Sequence, residues 1–175
     1  MSTRPALFAT AALLLAGCAA PPPAPSPDVA ALMREIAGQP YRYGGALIGT
    51  VPGLAGPVDQ PPVHLAIGLS APEADGTLHG RAILFDAERR LVAEGPVTGR
   101  LDPGFSPVTR PCALHLSLPQ GPVDLSGTCT ATLLSGEVVS QPGPPDLVTR
   151  IAFWWGDRAT TGRYWLDRDS FDPPA

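Results

Sequence analysis

Hydrophobic positions change their period twice along the chain. From Ala6 to Ala16 they form one run in which only Thr10 is polar, and prolines then crowd the stretch from Pro21 to Pro27. Val29, Leu32, Met33 and Ile36 follow at i, i+3, i+4 and i+7, the apolar stripe of a short α-helix. Ser26 suits the cap of that helix, Pro27 its first turn and Asp28 its positive end, while Gly38 and Pro40 mark its stop. The polar face lacks the basic row that a membrane-surface helix carries, so the stripe is expected to dock on a folded domain.

Beyond residue 46 the period becomes two. Val63, Leu65, Ile67 and Leu69 alternate with His64, Ala66 and Gly68. Residues 77–85 and 91–101 read as a hairpin about the polar segment 86–90, and residues 148–155 and 162–168 as another. Breaker clusters (Pro52-Gly53, Pro61-Pro62, Pro103-Gly104, Pro142 to Pro145) separate the runs. About seven to nine short strands at this spacing predict an all-β domain, a small antiparallel barrel or sandwich, preceded by one amphipathic helix. Nothing alternates strand with helix as a parallel sheet requires. Gly38 to Gly45 reads as a glycine-rich turn between the helix and the first strand.

The central hairpin can be placed in register. Leu114, Leu116 and Leu118 share one face, Val123, Leu125 and Cys129 another, and Pro119-Gln120-Gly121-Pro122 reads as a four-residue loop. Opposing Leu118 with Val123 then opposes Cys112 with Cys129 on the apolar side. Opposed Cα atoms stand about 4.5–5.5 Å apart, within the reach of a disulfide.

Composition sharpens this picture in three respects. The chain has 175 residues, enough for one modest core with roughly two-thirds of the unfolded surface buried. Its formal charge is -4, which gives no electrostatic reason to bind nucleic acid. Pro 23 and Gly 19 are abundant but clustered, so a folded domain is expected between the clusters. All 12 basic residues are arginine, a pattern best explained by codon bias.

The amino-terminal run ends in Leu15-Ala16-Gly17-Cys18, preceded by a short positive segment containing Arg4. The run is too short to span a hydrocarbon core of about 30 Å as a helix, but it has the length of a secretory signal. The four residues resemble the lipobox of bacterial lipoproteins. That resemblance implies diacylglyceryl transfer to the Cys18 thiol, cleavage between Gly17 and Cys18, and acylation of the new amino group. Residues 1–17 would be the signal peptide, 18–27 the lipidated cysteine and proline-rich tether, and 28–175 the helix and β domain. Ala19 follows the cysteine in place of the Asp that resembles an inner-membrane retention signal. The expected address is therefore the outer membrane, with the domain facing the periplasm and the bilayer as a partner through Cys18. With Cys18 lipidated, Cys112 and Cys129 remain as a pair in an oxidising compartment.

Candidate chemistry is sparse. His64, His79 and His115 lie on separate strands, and no metal or other cofactor is expected from them. Gly38-Gln39-Pro40-Tyr41-Arg42-Tyr43-Gly44-Gly45 resembles the stretch that leads into the nucleophile of NlpC-like cell-wall cysteine peptidases. No cysteine follows before Cys112, so the thiolate which such chemistry needs is missing. Trp154-Trp155 and Tyr164-Trp165 gather most of the large aromatics, and alternation sends neighbours to opposite faces. Trp154, Trp155 and Trp165 are thus candidates for a ligand shelf. The expected function is a non-enzymatic envelope module that binds a protein or cell-wall component; the alternative is a lipocalin-like barrel binding a small apolar molecule.

Overall fold

The computed structural model describes residues 27–53, 56–102, 108–141, 160–168 and 170–171. Cys18, the signal segment, the tether before Pro27, the expected strand 148–155 and both Trp154 and Trp155 lie outside them. The first element is helix α1 (Pro27–Ala37), which starts at the expected proline and stops before Gly38. Nine antiparallel strands follow among the described residues: β1 (Tyr41–Gly53), β2 (Gly56–Asp59), β3 (Val63–Leu69), β4 (Thr77–Phe85), β5 (Leu91–Leu101), β6 (Arg110–Leu118), β7 (Gly121–Cys129), β8 (Leu133–Ser140) and β9 (Thr160–Asp167). Eight of them, β1 and β3 to β9, form a sheet that closes on itself through β9 and β1. β2 stands apart, folding back on the far end of β1 from Thr50 to Gly53.

Closure sorts the side chains. One face of each strand fills the interior, as in β6, where Cys112, Leu114, Leu116 and Leu118 are buried and the residues between them are exposed or half-buried. β3 departs from strict alternation because both of its faces are covered. Leu65 and Ile67 point into the barrel, while Ala66 packs outward with Ile83, Phe85 and the helical stripe of Val29, Met33 and Ile36. Phe171 joins that outer cluster from the other end of the chain. Arg81 on β4 bridges the same region, 2.7 Å from Glu94 on β5 and 3.6 Å from Glu35 on α1. Each of the three buried helical side chains contributes about 1.5–3 kcal/mol, whereas these partly exposed ion pairs add little.

Three expectations need correction. Tyr41 to Gly45 is not a turn but the opening half of β1. The glycines serve close approach: a Cβ on Gly44 would stand 2.6 Å from the Ser170 carbonyl oxygen, and one on Gly45 would collide with the Trp165 carbonyl where β9 closes the barrel. Second, both edges of β9 are taken by β8 and β1, where the expected neighbour of 162–168 was the segment 148–155, itself outside the described residues. Third, β6 and β7 are joined by the two residues Pro119 and Gln120, with Leu118 opposite Gly121. The register slips by two from the expected one, and Cys112 opposes Gly127 while Cys129 opposes Arg110.

A slip of two leaves every side chain on its original face; a slip of one would have inverted them. The disulfide Cys112–Cys129 therefore forms inside the barrel all the same, as a diagonal bridge with Cα atoms 5.8 Å apart. Gly127, the direct neighbour of Cys112, puts no side chain in its path. Strand twist draws one diagonal of an antiparallel pair closer than the other, bringing it below the usual 7–8 Å.

Candidate functional site

The interior is packed by side chains over most of its length. Space remains at the end where β1 begins and β3 stops: a cavity of about 270 Å³ lined mainly by Tyr41, Tyr43, Leu69, Leu78, Leu101 and Leu134, with Arg110 and the disulfide sulfurs' residue Cys129 at its side. The Tyr43 hydroxyl donates to the carbonyl of Thr130 at 2.8 Å. Burial, with Tyr41 close by, pushes that phenol up to about 12, against a smaller opposing effect of Arg168. It is therefore a neutral hydroxyl and not a nucleophile at ordinary pH. No Asp, Glu or His lines this cavity among the described residues. Its walls suit a small apolar group, and its volume is just below the ~300 Å³ at which ligand pockets usually begin.

The second feature is on the outside, across β8, β9 and β1. Register places their outward residues in three rows. Ser135, Trp165 and Ala46 form one; Glu137, Arg163 and Ile48 the next; Val139, Thr161 and Thr50 the third. Trp165 is 61% exposed and Ile48 60%, so both large apolar groups stand in water. Shallow grooves run across the strands on either side of the middle row. Glu137 and Arg163 face each other on neighbouring strands, yet neither enters a side-chain hydrogen bond or ion pair among the described residues. Polar residues frame the surface: Asp124, Ser126 and Thr128 of β7 on one side, His64 and Asp59 on the other.

The sequence-derived candidates divide accordingly. Trp165 is on this outer face, while its neighbour Tyr164 is buried in the core. Trp154 and Trp155 lie outside the described residues, so the structure places one of the three shelf aromatics. The histidines stay apart: His79 is 3.4 Å from Glu73, the His115 Nδ1–H donates to the Asp124 carboxylate at 2.6 Å, and His64 sits half-buried beside Ala46 and Phe85. Burial and then Arg89 hold the His64 imidazole below its ordinary value. No group of three metal-ligating side chains occurs among the described residues. Sequence reasoning missed Arg110, Ile48, Glu137 and Arg163. The last could have been found, since Gly162, Tyr164 and Leu166 share a phase that leaves Thr161, Arg163 and Trp165 outside. No family model, curated protein or solved structure matches this chain.

Proposed function

We propose that the protein is an outer-membrane-anchored periplasmic lipoprotein whose β-barrel is a non-enzymatic interaction module. The observation that carries this reading is the distribution of apolar surface. The barrel is packed within, while Trp165 and Ile48 are held out in solvent on one outer face. Large apolar groups displayed together on one face mark a place for a partner. The lipobox resemblance at Leu15 to Cys18 supplies the anchor, and a buried Cys112–Cys129 bridge accords with an oxidising compartment. Several acyl chains hold firmly where one is marginal, because each buried methylene adds about 0.8 kcal/mol. Membrane fractionation tests the anchor: Cys18→Ser is expected to move the protein to the soluble fraction, and continued membrane association would remove it.

A second reading follows from the mouth cavity of about 270 Å³. Its apolar walls, the neutral Tyr43 hydroxyl and Arg110 fit the end of a small amphipathic molecule, with the polar group held at the rim. Native mass spectrometry of protein purified from its host distinguishes the two, since a small molecule retained in the barrel would favour the cavity.

A further inference from the structure

We infer that the outer face of β8, β9 and β1 binds a neutral glycan strand, stacked on Trp165. This rests on the interaction-module reading and names its partner. The surface is too small for a stable protein interface. Along β9 the outward residues from Thr161 to Trp165 span about 13 Å, and the three strands span about 10 Å. Such a face is well short of the ~800 Å² that a partner protein ordinarily covers. It is of a size to accept a short run of sugar rings.

Its chemistry matches too. A pyranose ring presents C–H groups on its flat faces and hydroxyls at its rim. The C–H edge, weakly positive, is attracted to the negative face of an indole. Trp165 provides that indole in the open, with Ile48 one row away on the neighbouring strand. The rim groups then need donors and acceptors that are not already committed. Arg163 offers its fork of N–H donors and Glu137 a carboxylate acceptor, and neither is occupied by a side-chain partner within the described fold. Thr50, Thr161 and Ser135 add hydroxyls around them. One positive and one negative side chain cancel, so the face selects no strongly charged polymer. The grooves on either side of the Ile48, Arg163 and Glu137 row provide parallel tracks across the strands.

The test uses the full chain in detergent micelles and, as probe, immobilised chitin, an uncharged polymer of N-acetylglucosamine. Wild-type protein is expected to be retained and to be released by soluble N-acetylglucosamine oligomers. Trp165→Ala should weaken retention more than 10-fold, Trp165→Phe less, and Arg163→Ala by an intermediate factor, with thermal midpoints unchanged because these side chains are exposed. Cys18→Ser should bind chitin as the wild type does. Failure of the wild type to bind, or equal binding by Trp165→Ala, overturns the inference; so does a protein that occupies this face and is lost with Trp165→Ala. A glycan failure with intact Cys18-dependent anchoring sinks only the glycan. Membrane association that survives Cys18→Ser sinks only the anchor.

Discussion

At the scale of single residues, the barrel is most exacting at β9. Tyr164 and Trp165 are adjacent and chemically alike, yet one is 2% exposed and the other 61%. The alternation of Thr161, Arg163 and Trp165 with Gly162, Tyr164 and Leu166 decides which is which. Sequence alone separated the two faces without assigning them, because indole and phenol bury about equally well. Burying Tyr164 has a consequence: its hydroxyl has no hydrogen-bond partner among the described residues, and burial pushes its pKa up to about 12. A buried hydroxyl left unsatisfied costs about 1–3 kcal/mol. Tyr164→Phe removes the cost and keeps the ring, so it should stabilise the fold by about 1 kcal/mol. Urea denaturation reads this as a higher midpoint with the same slope; a fall in the midpoint would mean that the hydroxyl is satisfied. The shape of the site was least legible at this scale. Glu137 and Arg163 lie far apart in sequence and become neighbours only when β8 meets β9.

At the scale of elements, β6 and β7 show which part of a hairpin a sequence specifies. Leucine alternation fixed the faces but not the length of the turn. Gly121 and Pro122, loop-like by residue type, are the first residues of β7, where Leu118 meets Gly121 and Ser117 meets Pro122. The cysteine pairing survived because period-two patterning is blind to a slip of two. α1, β4 and β5 were legible almost to the residue, since strong apolar periodicity ended at clear breakers. β8 was not, because Gly136 falls in its inward row and breaks the apolar phase that a reader looks for. The bridge closes a sequence separation of 17 residues, for which the chain-entropy account gives about 3 kcal/mol. Replacing Cys112 and Cys129 together by Ala should lower stability by about that amount without changing strand content. Circular dichroism for the strands and denaturant midpoints for the stability check both halves of that expectation.

At the scale of the whole molecule, a closed barrel removes the free edges that leave an open sheet prone to pair with others. The short hairpin of β1 and β2 is the part of the sheet that stands outside this closure. The fold class was legible because strand spacing and the lack of strand–helix alternation exclude most other architectures. Closure itself was not, since it depends on β1 meeting β9 across nearly the full length of the chain. The outward face that results is also continuous only in the closed form: Trp165 lies on β9, Ile48 on β1 and Glu137 on β8.

The position of α1 gives the molecule a mechanical character. The helix lies on the barrel through Val29, Met33, Ile36, Ala66, Ile83, Phe85 and Phe171, outside the hydrogen-bonded ring. β1, the next element, is bonded along one edge to β3 and along the other to β9. A load applied at the amino terminus therefore peels a packed helix before it can shear a doubly bonded strand. In a pulling experiment with handles at the two chain ends, α1 should yield first, at low force, and extend by up to about 40 Å of contour for its 11 residues. The barrel should follow at higher force as one event, shortened while the disulfide stays closed; simultaneous release of helix and barrel would show that they share one barrier. With the amino terminus held, tension is spent first on the helix, and the face bearing Trp165 keeps its shape until the ring itself gives way.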